Sequence, residues 1–450
     1  MERTKFSSRM SFILTSAGCA IGLGNVWRFP AIVGQYGGGI FILVYIIFLV
    51  LFGLPVMTME FSVGRAGKRS IATAYNSLVP DRKVWSIFSG ASVIGNYIIL
   101  GFYTTVTGWM FAYFLKMLRG EFLNLSSDAV ASVFSTVSSD SVYTGFFMLL
   151  SVLLGFLVCL AGFEKGVEKI SRIMMLVLLF MITLLAVRVL FLDGARKGLE
   201  FYLVPDMNAL KEQGFGNIIF AAMGQAFFSL SIGMGSMTVF GSYISSQRRL
   251  FGESIIIAVL DTFVALVAGL VVIPSCFTFG IAPDSGTELI FTTLPNIFNK
   301  MNGGRVWGSL FFLFMIFAAM STVIGIFENL IAFGVEKGFS RKKSAIVNFI
   351  IVILISLPCA LGFNLFKAST GFTVMDIEDF IVSNNLLPVG ALGFVFFCTS
   401  NRYGWGWKNF IHEANLGKGI IFFEKSYLFC KYVLPVVIIT VWLQGYLFKN

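Results

Sequence analysis

Histidine is nearly absent from this chain. His412 is the one copy among 450 residues and stands in a polar stretch, so no histidine-built metal or catalytic site is expected. Cysteine is sparse and scattered: Cys19, Cys159, Cys276, Cys359, Cys398 and Cys430 sit singly, mostly within apolar runs, with no CxxC pair. They read as small buried hydrophobes rather than metal ligands. Charge is scarce too, at 12% against about 25% for a typical soluble domain. No HExxH or GxSxG stretch occurs, and the SxxK match at Ser340–Lys343 lies in a basic run, so the chain is not expected to be an enzyme. No secretory signal is expected either. MERTKFSSRM is short and basic, but the apolar segment after it is too long and lacks a small-residue cleavage site.

What remains is hydrophobic: 57% of residues, with mean hydropathy +0.86. Apolar runs of membrane-spanning length recur throughout. Eleven spans are expected, at 10–34, 39–63, 84–117, 142–161, 167–191, 215–242, 252–280, 305–335, 343–363, 378–399 and 427–447. The fold class is therefore all-α integral membrane, in a multi-pass cell (inner) membrane protein. With residues 1–9 placed inside, the inner connections hold two thirds of the 33 Lys and Arg. That bias predicts a cytoplasmic N-terminus and, for an odd number of spans, an extracytoplasmic C-terminus. The net charge of +10 is then an orientation signal with the lipid bilayer as partner, and no nucleic-acid partner is implied.

The first span is broken where an unbroken apolar helix is wanted. CAIGLGNVWRFP (residues 19–30) places Gly22, Gly24, Asn25, Arg28 and Pro30 in or beside it, and each backbone group so freed needs a partner that lipid cannot supply. The sixth span carries an echo: Ser231-Ile232-Gly233-Met234-Gly235-Ser236 matches Ala20-Ile21-Gly22-Leu23-Gly24-Asn25 as small–Ile–Gly–x–Gly–polar. Five spans separate the two starts, so these segments cross in opposite directions. Glycine is common in membrane helices and often only permits close packing, but paired breaks in corresponding places point to the site of an inverted-repeat transporter.

A broken helix offers N–H groups and a positive dipole end from one half, carbonyls and a negative end from the other. Two such breaks suit a zwitterion, or an anion accompanied by Na⁺. Tyr103 lies in span 3 and Asp261 in span 7. Ser321 and Thr322 follow Ala318 in span 8 by three and four residues, which puts all three on one helix face. Hydroxyls and carbonyls suit a hard cation. An intramembrane carboxylate such as Asp261 is costly and marks function by default.

SAGCAIGLGNVWRFP, the following GGGIF, GQAFFSLSIGMG, FAAMSTVIGIFE and MDIEDFIVSNNLLP together resemble the neurotransmitter:sodium symporter family, in its bacterial amino-acid-transporter branch. The resemblance runs from span 1 to span 10. It implies two inverted five-helix repeats, 10–191 and 215–399, with discontinuous helices 1 and 6, followed by an eleventh helix at 427–447. It also implies two Na⁺ sites. One would use the Ala20 carbonyl, Asn25, Ser229, Asp261 and the substrate carboxylate. The other would use the carbonyls of Gly18, Ile21 and Ala318 with the hydroxyls of Ser321 and Thr322. The substrate carboxylate would meet the N–H groups of Leu23 and Gly24 and the Tyr103 hydroxyl. The substrate ammonium would meet carbonyls near Ala20, Phe228, Ser229 and Ser231. The substrate side chain would face Cys19, Ile99, Phe228, Met234, Thr322 and Ile326. Arg28 and Asp379 are expected at the outer gate, beyond a cap of Phe228 and Tyr103. Arg3 and Glu336 are expected at the inner one, with Ser242 and Tyr243 nearby. Glu60 is expected to hydrogen-bond backbone freed by the breaks.

Two identities narrow the reading. Gly22 stands where the family's monoamine transporters carry Asp, so the substrate must bring its own carboxylate and an amino acid is favoured. Asp261 stands where chloride-dependent relatives carry Asn, which implies chloride independence and possible proton antiport. Met234 between two glycines is flexible and leaves room for a large side chain, hence a hydrophobic or aromatic amino acid. In one respect the chain departs from its relatives: Leu176 occupies the place of a proline ten residues after Gly166 that helps span 5 unwind. The alternative function is an amino-acid-binding membrane sensor without transport. The sequence does not specify the oligomeric state.

Overall fold

A computed structural model describes residues 5–280, 289–363 and 373–447, and within these the chain is all helix, with only isolated β-bridges between extended residues. Among the described residues, nine helices are long and apolar enough to cross a membrane: Gly39–Gly67, Val84–Arg119, Ser141–Leu160, Phe163–Leu190, Leu250–Phe279, Gly304–Glu336, Arg341–Leu361, Val374–Thr399 and Glu424–Tyr446. A tenth crossing is the bent pair Arg9–Ala20 and Gly24–Gln35, angled by 59°. Phe215–Ser229 and Ser236–Gly241 flank a further break and complete the eleven expected spans. They are numbered here 1 to 11 in chain order. The end that carries residues 5–8 is called inner.

The breaks lie where the glycines are. The inner half of span 1 ends at Ala20, and Ile21 turns to extended backbone at ψ 104°. The chain re-enters helix through a wide turn over Gly24–Arg28, which leads without a break into Phe29–Gln35, with Pro30 just after the wide turn. In span 6, Ser231, Gly233 and Gly235 all have positive φ (50°, 99° and 80°). Such a run unwinds a helix, and only glycine takes it without strain. A Cβ on Gly233 would run into the Leu387 carbonyl, so Gly233 also permits the approach of span 10.

The freed backbone is repaired by side chains. Glu60 in span 2 accepts from the N–H groups of Gly233 (3.2 Å) and Gly235 (2.8 Å). Asn96 donates to the Met234 carbonyl (2.9 Å) and Gln225 to the Gly24 carbonyl (2.9 Å). These residues are fully buried, where an unpaired group costs about 1–3 kcal/mol. Spans 3 and 8 form the buried centre of the bundle, and span 11 lies at its periphery. Span 5 opens with a wide turn over Phe163–Glu168 and then runs unbroken through Leu176, which is 54% exposed on the outside of the bundle. A looser first turn, rather than a proline, is thus the irregularity at that end.

Candidate functional site

The two breaks meet. Around them lies a small cavity of about 40 Å³, lined by Cys19, Ala20, Gly24, Ile99, Tyr103, Phe228, Ser231, Met234, Thr322 and Ile326. All ten are expected substrate residues. Phe102, Ser236, Val382 and Leu387 complete the wall, and the sequence reading did not include them. Ser229 lies off this wall, among the expected sodium ligands. Leu23 lines a second, larger cavity on the outer side. Its N–H donates to the Tyr103 hydroxyl at 2.7 Å.

The outer cavity measures about 410 Å³. Phe228 and Tyr103 line both spaces and stand between them. The inner cavity is far smaller than the few hundred Å³ of a usual small-molecule pocket. Gly24 lets Phe228 lie close, since a Cβ there would be 2.7 Å from the ring. The Arg28 guanidinium sits 4.4 Å from the Phe228 ring centroid, a cation–π contact. Asp379 shares the outer cavity with Arg28 but accepts a hydrogen bond from Ser383 (2.7 Å), and among the described residues Arg28 and Asp379 do not form an ion pair.

Beside the break in span 1, Asn25, Ser229 and Asp261 form one network. Asn25 Nδ2 donates to Ser229 Oγ (3.0 Å) and to the Asp261 carbonyl (3.2 Å), and Ser229 Oγ donates to Asp261 Oδ2 (2.7 Å). Tyr45 adds a hydroxyl to Ser229 at 3.0 Å. Asn25 Oδ1 accepts from the Gly22 N–H (3.2 Å). All of these are buried, and Asp261 Oδ1 has no hydrogen-bond partner among the described residues. A buried carboxylate oxygen left over beside hydroxyl, amide and carbonyl oxygens, with no sulfur or imidazole in the network, fits a small hard cation.

The second expected set also comes together. Ser321 Oγ donates to the carbonyls of Gly18 (2.6 Å) and Ala318 (2.8 Å), and Thr322 Oγ1 to those of Cys19 (3.2 Å) and Ile21 (3.4 Å). Back-bonding of Ser321 to its own helix is therefore present, but it accompanies bonds from span 8 to span 1. The hydroxyl protons point at carbonyls that a cation would otherwise take.

At the inner end, Arg3 lies outside the described residues. Its expected partner Glu336 accepts from the Ser70 N–H (2.6 Å), the Ser70 hydroxyl (2.8 Å) and the Thr73 hydroxyl. Tyr243 donates to Glu328 Oε1 (2.8 Å), and Arg341 holds both oxygens of Glu328, at 3.1 and 2.6 Å. Arg341 also reaches the Cys159 carbonyl at 3.0 Å. Glu328 is fully buried, and the sequence reading missed it. The rule that singled out Asp261, that an intramembrane carboxylate is costly, applies equally to Glu328. Phe6 packs edge-on against Phe163 and Tyr243, and the Phe6 N–H donates to the Tyr243 carbonyl at 3.2 Å. Among the described residues, these contacts close the inner side, while the outer side has a cavity.

A helical bundle with two discontinuous spans meeting at a largely apolar cavity, flanked by clusters of buried oxygen groups, defines a multi-pass secondary transporter. The sodium:neurotransmitter symporter family pattern matches residues 3–130 and 142–447. The uncharacterized sodium-dependent transporter YhdH of Bacillus subtilis (strain 168) is 32% identical over 98% of this chain and 97% of its own. The sodium- and chloride-dependent GABA transporter 2 of Rattus norvegicus is 24% identical over 90% of this chain and 74% of its own. Among solved structures, that of MhsT in complex with L-phenylalanine superposes with a TM-score of 0.87 at 32% identity, covering 99% of this chain and all of that one. The chain belongs to the sodium:neurotransmitter symporter family, and its fold is that of a sodium-dependent membrane transporter.

Proposed function

We propose that the protein is a sodium-coupled symporter that imports a hydrophobic or aromatic amino acid by alternating access, without need of chloride. The observation that carries this reading is the unpartnered Oδ1 of buried Asp261, held against Asn25 and Ser229 at the break of span 1. A Na⁺ there would satisfy that oxygen and also face the carboxylate of a substrate in the adjoining cavity. The substrate's own carboxylate is required because Gly22 supplies none from the protein. A Cβ at Gly22 would collide with the Tyr103 hydroxyl and lie 2.7 Å from Thr322 Oγ1. Phenylalanine bound to MhsT supports a large side chain, and Met234 and Ile326 give the cavity apolar walls.

In this mechanism, Na⁺ and substrate bind from the outer cavity. The Leu23 N–H leaves the Tyr103 hydroxyl, and both turn to the substrate carboxylate. A second Na⁺ takes the Gly18, Ile21 and Ala318 carbonyls and ties span 1 to span 8. The substrate ammonium lies by the carbonyl end of the inner half of span 1, where the helix dipole favours positive charge. Phe228 and Arg28 then close over the site, while release requires the Tyr243–Glu328–Arg341 contacts to part. Protonation of Asp261 when Na⁺ leaves would carry a proton outward on the return step. The charge bias puts the inner end in the cytoplasm.

The test is uptake into proteoliposomes under a Na⁺ gradient with gluconate in place of chloride, with the twenty amino acids as competitors. Uptake that needs chloride would overturn the role given to Asp261. Failure of aromatic and large aliphatic amino acids to compete would overturn the pocket reading.

A further inference from the structure

Spans 7 and 11 begin at Leu250 and Glu424, so the residues just before them lie at the membrane surface on the inner end. There the chain forms an isolated parallel bridge, Arg248 with Lys418. Lys418 N–H donates to the Gln247 carbonyl (2.9 Å) and Arg249 N–H to the Lys418 carbonyl (3.1 Å). The Arg249 side chain turns inward, to the carbonyls of Asn415 (3.2 Å) and Gly419 (2.8 Å). Side chains alternate along extended backbone, so Arg248 projects the other way. Residues paired across a bridge lie side by side on one face, and like charges so placed repel. Arg248 and Lys418 are both exposed, and neither has an acidic partner among the described residues.

The segment that follows is held firmly. Phe422 is buried against Phe251, Phe410 and Trp407, and its N–H and carbonyl both bond the Asn415 side chain, at 2.7 and 3.0 Å. Yet its neighbours are turned out: Ile420 is 51% exposed, Ile421 43% and Phe423 62%. They continue into Leu428, which is 64% exposed on span 11. A rigid segment showing large apolar side chains at a span entrance faces acyl chains rather than water.

We propose that Arg248 and Lys418 bind the phosphate of an anionic phospholipid whose acyl chains lie on Ile420, Ile421 and Phe423. Guanidinium and ammonium groups are the usual phosphate ligands, and the bridge holds the two cations together before the lipid arrives. Because the bridge joins the connection leading into span 7 to the one leading into span 11, the lipid would clamp two spans at the inner end. The inference requires only that these spans cross a bilayer, so it stands or falls apart from the transport reading.

The test uses the full chain, purified in detergent and delipidated, with phosphatidylglycerol and phosphatidylcholine as probes and native mass spectrometry as the readout. Each basic side chain near a membrane surface contributes roughly a fivefold preference for anionic lipid, so the double variant R248Q/K418Q is expected to lose about 25-fold. Lys408→Gln, exposed on the neighbouring short helix, is expected to retain the preference. Unchanged phosphatidylglycerol binding by the double variant overturns the proposal. So does displacement of the lipid by glycerol phosphate or inorganic phosphate at equal concentration, which would make this a site for soluble phosphate. If the double variant does not elute as a folded species, Ile421→Ser/Phe423→Ser carries the test. It should lose the preference for long-chain over short-chain phosphatidylglycerol, and no loss overturns the inference.

Discussion

Asp261→Asn isolates the charge on which the proposed ion coupling depends. Asn has nearly the same shape and can still accept from Ser229, which donates to Asp261 Oδ2 at 2.7 Å. What is lost is the full negative charge facing the bound Na⁺. Two unit charges about 4 Å apart, at an effective dielectric of about 20, attract by roughly 4 kcal/mol. At about 1.4 kcal/mol per factor of ten, Na⁺ affinity at that site should fall roughly a thousandfold. The site is fully buried, so the charge is poorly screened by salt. In chloride-free buffer the variant should need a far higher Na⁺ concentration for uptake and for substrate binding in detergent. Chloride should then restore part of the loss, because an exogenous anion can take the place of the missing charge. The reasoning is refuted if Asp261→Asn keeps the wild-type Na⁺ dependence without chloride, or if chloride stimulates the wild type as strongly as the variant.

Glu328→Gln removes the charge that Arg341 grips with two bonds. Breaking such a buried pair costs about 3–5 kcal/mol, so thermal unfolding should shift down and inner-side accessibility of engineered cysteines should rise. Unchanged accessibility would count against an inner closure at Glu328. Thr322→Val keeps the shape but removes the hydroxyl that reaches the Cys19 and Ile21 carbonyls. Na⁺ affinity measured by substrate-binding titration should fall about tenfold, on the order of one charge-assisted contact, and an unchanged titration would remove Thr322 from the ligand set. Gly22→Ala should abolish substrate binding, since its methyl would collide with Tyr103, while the protein still elutes as a monodisperse species. An interior-acid pH gradient should accelerate Na⁺-driven uptake if Asp261 returns with a proton, and indifference to the gradient would exclude proton antiport.

Much of this architecture is legible in the sequence because bilayer physics is local. Twenty apolar residues announce a span wherever they occur, and the glycines of CAIGLGN and SIGMGS announce the breaks. The Glu60 bonds to Gly233 and Gly235 follow from the same accounting, since freed N–H groups in lipid need an acceptor. Other features depend on which surfaces meet. Glu328 and Arg341 are 13 residues apart on different helices, and only the turn between spans 8 and 9 makes them partners. The bridge between Arg248 and Lys418 joins residues 170 apart and requires Gly417, at φ +88°, to pass close to the Gln247 backbone. Phe102, Val382 and Leu387 enter the cavity wall through helix packing; Val382 and Leu387 lie inside MDIEDFIVSNNLLP, but the motif alone does not say which of its apolar residues turn to the cavity.

The central claim is tested most directly by flux. Purified protein in chloride-free proteoliposomes, loaded with K⁺ and diluted into Na⁺, should accumulate labelled phenylalanine saturably above its external concentration. Collapsing the Na⁺ gradient with an ionophore should release it. Tight Na⁺-dependent binding with no accumulation would contradict the account and make the protein a sensor.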